Sequence, residues 1–379
     1  MTSLERFSAN WDSRVQSHMT SPLADYHLSQ GATLGDYQGT LVPSRFTDPV
    51  AEHRAVREAS GLFDFSFRGK FAIKGRDHAK FLHRIVSNDI KRLAPGEGTY
   101  ATLLNPQGHI LVDLRLYCAE DRFFADTAAD LRDKALNGLK RYVISDQVEF
   151  EILDLFALAF EGPRSRALLE KTLHIHLPEM EAFDHFALNY AGFPLRVVRA
   201  GSTGEEGYEV WTGAKGMLAV WGAACGQAPT YGTLPCGTQA LETLRIEAGI
   251  PQYGRELGED TIPNEAGLWN ALSFNKGCYV GQEIVERTRS RGHVNWKLMG
   301  LISDTEVPPP PGDKLVQDGK EIGEVTSSCV SPTLGKSIAL AFLRREVAEL
   351  GTKLESSSGT AAVVVALPFY QRASTVPNA

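Results

Sequence analysis

The chain has 379 residues, a formal net charge of −7, and 43% apolar against 22% charged residues. That length exceeds what one hydrophobic core usually serves, and the composition is that of a folded protein of two or three domains rather than a disordered one. A mildly acidic chain without an apolar run of membrane-spanning length is neither a general nucleic-acid binder nor a helical membrane protein, the run from Arg287 to Arg291 being its densest basic stretch.

Taken in chain order, Asp48 followed by Pro49 reads as an N-cap with proline at the first helical position. The helix runs to Ala59 with Val50, Ala51, Ala55 and Ala59 on one side, and Gly61 is its stop signal. In the next strand Phe71 and Ile73 alternate with Lys70 and Lys74. A helix over 77–87 precedes a loop at 93–98, and strands at 99–104 and 109–117 are joined by Asn105-Pro-Gln-Gly108, whose residue types make hairpins. A turn at Asp121 and Arg122 leads to a strand at 123–126, a helix over 131–142 and a strand at 148–153. The alternation continues through 157–160, 164–172 and 195–199, with helices near 216–225 and 238–247. Composition changes at Val307, where four prolines (308–311) cannot continue a helix or a sheet. Beyond them, short strands such as 320–326, 337–343 and 361–366, separated by Gly and Ser, read as a small antiparallel barrel or sandwich.

The first ten residues include Glu5 and Arg6 and no apolar core, so no secretory leader is expected, and the tail after Tyr370 is expected to fray. Five scattered cysteines without a CxxC pair argue against a disulfide framework and against a metal site made by this chain alone. A cytoplasmic location follows as an expectation.

Three segments carry candidate chemistry. Ser202-Thr-Gly-Glu-Glu-Gly-Tyr-Glu209 is a glycine-bracketed turn entering a strand, with Tyr208 and Glu209 on opposite faces. The Glu209 carboxylate suits an edge of adjacent N–H donors, such as a pterin or a purine; the alternative is a solvated surface residue. Tyr100 and Asp113 lie in the two strands of the Asn105–Gly108 hairpin, and an acid in the apolar run Ile110–Tyr117 is either functional or paired with Arg115 on the same face. In Lys276-Gly-Cys-Tyr-Val-Gly-Gln-Glu283, the glycines Gly277 and Gly281 would let backbone approach a ligand, and Lys276 would raise the thiolate fraction of Cys278. Tyr279 follows the cysteine, and Gln282 and Glu283 open a polar helix. The alternative is a small structural thiol at a helix entry.

Gly61-Leu-Phe-Asp-Phe-Ser, Thr203-Gly-Glu-Glu-Gly, Leu244-Arg-Ile-Glu-Ala-Gly, Tyr253-Gly254, Pro263-Asn-Glu-Ala-Gly-Leu and Ser331-Pro-Thr-Leu-Gly-Lys-Ser-Ile-Ala-Leu together resemble the glycine-cleavage T-protein, or aminomethyltransferase, family over residues 40–372. The cysteine segment 276–283 instead resembles the YgfZ-type folate-binding branch of that superfamily, implicated in maturing or repairing iron–sulfur enzymes, including some that modify tRNA. The resemblance implies an α+β, three-lobed ring: two interleaved ferredoxin-like α+β units over 1–293 and a C-terminal antiparallel β-barrel over 294–379. It implies tetrahydrofolate, or a one-carbon form of it, in the central channel. Asp113 then falls on the catalytic aspartate, Tyr100, Thr127 and Arg245 on folate-site positions, and Glu209 on the glutamate that reads the pterin edge. Leu241, Ser202, Thr127 and Phe67 depart from the family's arginine, tyrosine, asparagine and histidine.

The leading expectation is a YgfZ-type, folate-dependent accessory factor for iron–sulfur enzymes, with Cys278 as a nucleophilic or redox-sensitive thiol. The second is an aminomethyltransferase, or another tetrahydrofolate-dependent one-carbon transferase, served by a lipoyl-carrier protein. The third is a scaffold without folate binding.

Overall fold

The computed structural model describes residues 19–290, 294–317 and 319–372. The segment read for a leader, Arg291 at the end of the basic run, and the end of the tail lie outside the described residues. The first expected helix forms over Pro49–Glu58, and the Asp48 carboxylate accepts from the Val50 and Ala51 amides. Such a cap stabilises a helix by about 1 kcal/mol. Gly61 is not its stop. Ala59 closes the helix and Gly61 lies inside the strand Ser60–Asp64, where a Cβ would come within 2.5 Å of Val56 and 2.9 Å of the Cys236 sulfur.

That strand begins a six-stranded sheet, but only one strand is laid down before the chain leaves. It turns at Phe65, whose amide donates to the Ala157 carbonyl, and builds all of a second, five-stranded sheet. The order there is Gly98–Leu104, Ile110–Cys118, Arg122–Ala128, Arg68–Lys74, Glu149–Leu153. The chain then returns at Phe156–Glu161, which pairs antiparallel with Ser60–Asp64. Completing the first sheet are His185–Tyr190, Phe193–Val198, Gly207–Thr212 and the parallel strand Thr233–Cys236. The two α+β lobes are thus interleaved in sequence. The third lobe is a closed antiparallel barrel starting at Trp296–Ser303 and ending at Ala361–Val365, and the proline run lies within it, between its first two strands.

The three lobes are joined pairwise. Phe63, Phe65, Tyr117, Trp211 and Leu244 fill the seam between the sheets. Leu104 and Ile110 pack with Trp296, Leu298 and Leu340 of the barrel. The helix Thr238–Glu247 ties the six-stranded lobe to the barrel through Glu247, whose Oε1 accepts from the Ser331 hydroxyl at 2.5 Å, and through Arg245, which donates to the Ser327 hydroxyl at 2.8 Å. No helix among the described residues is long and apolar enough to cross a membrane.

Candidate functional site

The five-stranded sheet has one greasy face and one polar face. Phe71, Leu114, Leu116, Ala101 and Ala125 fill the first. The strand register puts Tyr100 opposite Arg115, Arg115 opposite Asp126, and Asp126 opposite Lys70, so these four form a row across four strands on the second face. Arg68 and Asp113, two residues along their strands, extend it. Lys70, on the face opposite Phe71, does not face water. It is 1% exposed, 3.3 Å from Asp126 Oδ1, with its ammonium over the Trp211 ring. Burial pulls its pKa down, and Asp126 and Glu209 oppose that pull.

This face forms one wall of a cavity of about 560 Å³ where the two sheets, the helix Thr238–Glu247 and the loop 249–270 converge. Tyr100, Asp113, Arg68, Arg115, Ser202 and Arg245 line it, together with Phe65, Phe67, Leu241, Tyr253 and Trp269. Polar groups converging in an otherwise aromatic and aliphatic hollow are what a small-molecule site requires.

Asp113 is half-buried and accepts from the Tyr100 hydroxyl at 3.2 Å. Burial first, and then the Asp113 charge, push the Tyr100 phenol well above its ordinary value, which keeps it a donor. Thr127 is fully buried, and its hydroxyl donates to the Asp113 carbonyl at 2.9 Å. It steadies the strand behind the acid and does not line the cavity, so the expected direct contact between Thr127 and a ligand is replaced by a positioning one. The alternative reading of Asp113, an ion pair with Arg115, is absent among the described residues, because Arg115 is turned to Glu209 at 2.6 Å.

Glu209 is neither a solvated hairpin residue nor open to the cavity. It is 0% exposed; Oε1 takes Arg115 and Oε2 takes the Trp211 indole N–H at 2.8 Å. Tyr208 does lie on the opposite face, among Leu158, Val210 and Trp221. Arg245 lines the cavity, but its guanidinium is bound by Glu242 and Glu256, which outweigh burial and hold its pKa above the ordinary value.

The segment 276–283 lies elsewhere. Lys276 is buried and its ammonium donates to the carbonyls of Val86 (2.6 Å) and Asn88 (2.8 Å), so it closes the end of the helix His78–Ile85 rather than serving Cys278. Burial lowers it to about 8. Gly281 has φ +79°, and a Cβ there would sit 2.6 Å from the Asn105 carbonyl: the glycine serves docking on the hairpin that carries Asp113, not approach to a ligand. Nothing lies within 4 Å of where a Gly277 Cβ would be. Tyr279 is buried, Gln282 Oε1 accepts from the Tyr279 amide, and Glu283 pairs with Arg287 on the helix Gln282–Ser290. Cys278 is exposed and borders a separate groove with Ile85, Tyr142 and Ile144. All five cysteines are free.

Sequence reasoning missed Arg68, Lys70 and Asp126. The available signal was charged residues two apart on successive strands: Arg68 and Lys70, Asp113 and Arg115, then Asp126.

Residues 23–276 match the family model described as the GCVT N-terminal domain, and residues 297–371 match the glycine cleavage T-protein C-terminal barrel domain. The aminomethyltransferase of Bacillus subtilis (strain 168) is 33% identical over 359 residues, covering 93% of this chain and 99% of that protein. The aminomethyltransferase of Rippkaea orientalis is 34% identical over 365 residues, covering 93% and 98%. Among solved structures, the glycine cleavage system aminomethyltransferase T from Bartonella henselae superposes with a TM-score of 0.87 at 27% identity, covering 94% of this chain and 99% of that one. These matches overturn the expectation of a YgfZ-type accessory factor for iron–sulfur or tRNA-modifying enzymes. Full-length relatives are aminomethyltransferases, and Cys278, on which that expectation rested, falls between the two matched domains and away from the cavity.

Proposed function

This chain belongs to the glycine-cleavage T-protein family, and from that premise we propose that it is an aminomethyltransferase-type enzyme that passes a one-carbon unit to a reduced folate in the central cavity. The observation that carries the reading is the pair Asp113 and Tyr100, an acid with no cation in ion-pair distance among the described residues, held at the cavity wall by a phenol at 3.2 Å.

When bound, tetrahydrofolate supplies the amine that accepts the one-carbon unit. The aromatic side chains of Phe65, Phe67, Tyr100 and Trp269 that line the cavity fit a conjugated ligand, and Asp113 fits the role of a base or orienting acceptor for an amine N–H. Tyr100 fixes which Asp113 oxygen is free by occupying Oδ2, and Thr127 holds the strand that carries it. The hydrophobic lining keeps water from competing for that acceptor. Glu209 is fully buried with one protein donor on each oxygen, so in this reading it serves the site by holding Arg115 at the cavity wall. The one-carbon donor in this reading is an aminomethyl group on a lipoyl-carrier protein.

The test is transfer from an aminomethylated lipoyl-carrier protein to tetrahydrofolate, followed by the appearance of 5,10-methylenetetrahydrofolate together with released ammonia and the free lipoyl dithiol. Asp113→Asn should lower kcat by about a hundred-fold or more while folate still binds. Turnover unaffected by that substitution would remove Asp113 from the chemistry, and no turnover by the wild-type chain would remove the reading.

A further inference from the structure

The cavity wall beyond Asp113 presents donors. Arg115 gives Nη1 to Glu209 and Nη2 to the Ser202 hydroxyl at 3.2 Å. Arg68 gives Nε and Nη2 to Asp126, at 3.1 and 2.6 Å. Both arginines line the cavity. Each has five N–H bonds, more than these contacts use. Arg68 Nη1 takes no hydrogen-bonded partner among the described residues. The carboxylates that neutralise the pair, Asp126 and Glu209, are both 0% exposed, so they fix the arginines from behind and offer the cavity no acceptor.

Charge points the same way. Around this wall three cations, Arg68, Lys70 and Arg115, share two buried carboxylates, Asp126 and Glu209, while Asp113, the third acid of the row, has no cation in ion-pair distance among the described residues and stands at the amine end. A further acid nearby, Glu161, is buried and raised to about 8, so it stays largely uncharged at neutral pH. A guanidinium pair held by buried partners beside a cavity, with donors left over, suits a planar acceptor. Asp113 sits two residues from Arg115 on one strand face, about 7 Å along it. One ligand can therefore place an amine at Asp113 and an acid at the arginines.

We propose that Arg68, Arg115 and Ser202 form a carboxylate-binding subsite of the central cavity, taking a ligand that carries a carboxylate together with an amine. The subsite deepens the transfer reading and rests on it only for the identity of the rest of the ligand. Two sources present this chemistry: the glutamyl tail of a folate, and a free amino acid acting as a small donor or effector.

The test is calorimetric titration of the full chain with three probes. p-Aminobenzoyl-glutamate carries the tail acids without the pterin, N-methylglycine is a small amino acid, and 6-methyltetrahydropterin has the ring and no acid. Arg68→Met should weaken at least one of the two acids about ten-fold or more and leave 6-methyltetrahydropterin unchanged. Whichever acid responds identifies the source. Ser202→Ala disturbs no buried ion pair and should weaken the same probe about two- to ten-fold, which keeps the test valid if Arg68→Met melts early. No binding of either acid to the wild type, no response to either substitution, or an equal loss for 6-methyltetrahydropterin overturns the subsite. Turnover is not read in these titrations. A chain that binds the acids but transfers nothing therefore loses the transferase reading and keeps the subsite; a chain that transfers but shows no response to Arg68→Met does the reverse.

Discussion

Arg115 Nη1 and Glu209 Oε1 lie 2.6 Å apart across the seam between the two sheets, although 94 residues separate them in sequence. Burial works against the Arg115 charge, yet Glu209, Tyr117 and Asp126 hold its pKa above the ordinary value. The pair anchors the strand that carries Asp113 to the six-stranded lobe. Replacing one partner strands the other: Arg115→Met leaves a fully buried carboxylate and should destabilise by about 3–5 kcal/mol. The double variant Arg115→Met/Glu209→Gln should recover much of that loss, because neither side then carries an uncompensated charge. Urea denaturation of the three variants measures this, and a single variant as stable as wild type would show that the seam is held by its hydrophobic contacts alone.

The segment around Cys278 makes a different prediction. Lys276 spends its charge on two carbonyls at the end of a helix, so Lys276→Met should cost about 2–3 kcal/mol of stability. Cys278 is exposed and outside the central cavity, so Cys278→Ala should leave tetrahydrofolate affinity and turnover within about two-fold of wild type. A large loss of folate affinity in Cys278→Ala would place the thiol at the ligand after all.

What could be read from the sequence was what short segments decide. Asp48 and Pro49 announce a helix start because the cap acts within three residues, and Asn105–Gly108 announces a hairpin because the turn needs those residue types. Tyr208 and Glu209 were separated by simple alternation. The surroundings of Lys70 are not legible: its partner Asp126 is fixed by a strand register set far downstream, and alternation alone says only that Lys70 and Phe71 lie on opposite faces. The surroundings of Glu209 are hidden for the same reason, since nothing near it in sequence names Arg115. The cysteine segment misled in the opposite direction. Its dense pattern of Gly, Cys, Gly and Gln suggested a ligand loop, whereas Gly281 is needed for docking on the Asn105 turn and Lys276 for closing a helix.

Glu247 should govern acid stability at the junction with the barrel. Burial raises its pKa, but hydrogen bonds from His53, Ser331 and Arg57 outweigh that and bring it to about 2. A carboxyl depressed in the folded state contributes stability above its unfolded value near 4.5, and that contribution is lost as pH falls toward 2. Glu247→Ala should therefore lower Tm at pH 7 and flatten its fall between about pH 4.5 and 2, while the wild type falls steeply there. Parallel profiles for the two proteins would assign the acid sensitivity to other groups.

Glu161 should act with the opposite sign. It is fully buried between Gly207 and the turn at Ser202, accepting from the Ser202 amide at 2.9 Å and the Thr203 hydroxyl at 2.7 Å. Burial is the main cause that raises it from 4.5 to about 8; the Glu209 charge adds to this, and the two hydrogen bonds oppose it without prevailing. The folded chain thus holds a proton that the unfolded chain releases. Stability from this group is complete below about pH 4.5 and drains away as pH rises through 8, a change on the order of a few kcal/mol. Glu161→Gln keeps the shape and an acceptor oxygen but cannot ionise, so its Tm should stay level across pH 5 to 9 while that of the wild type declines by several degrees. Because Glu161 accepts from the backbone amide of Ser202, whose hydroxyl in turn accepts from Arg115, ionisation at high pH also brings a further negative charge to the arginine wall. Carboxylate binding at that wall should weaken above about pH 8 in the wild type and hold steady in Glu161→Gln; identical pH profiles for the two proteins, in melting and in binding, would mean that Glu161 titrates as an ordinary acid.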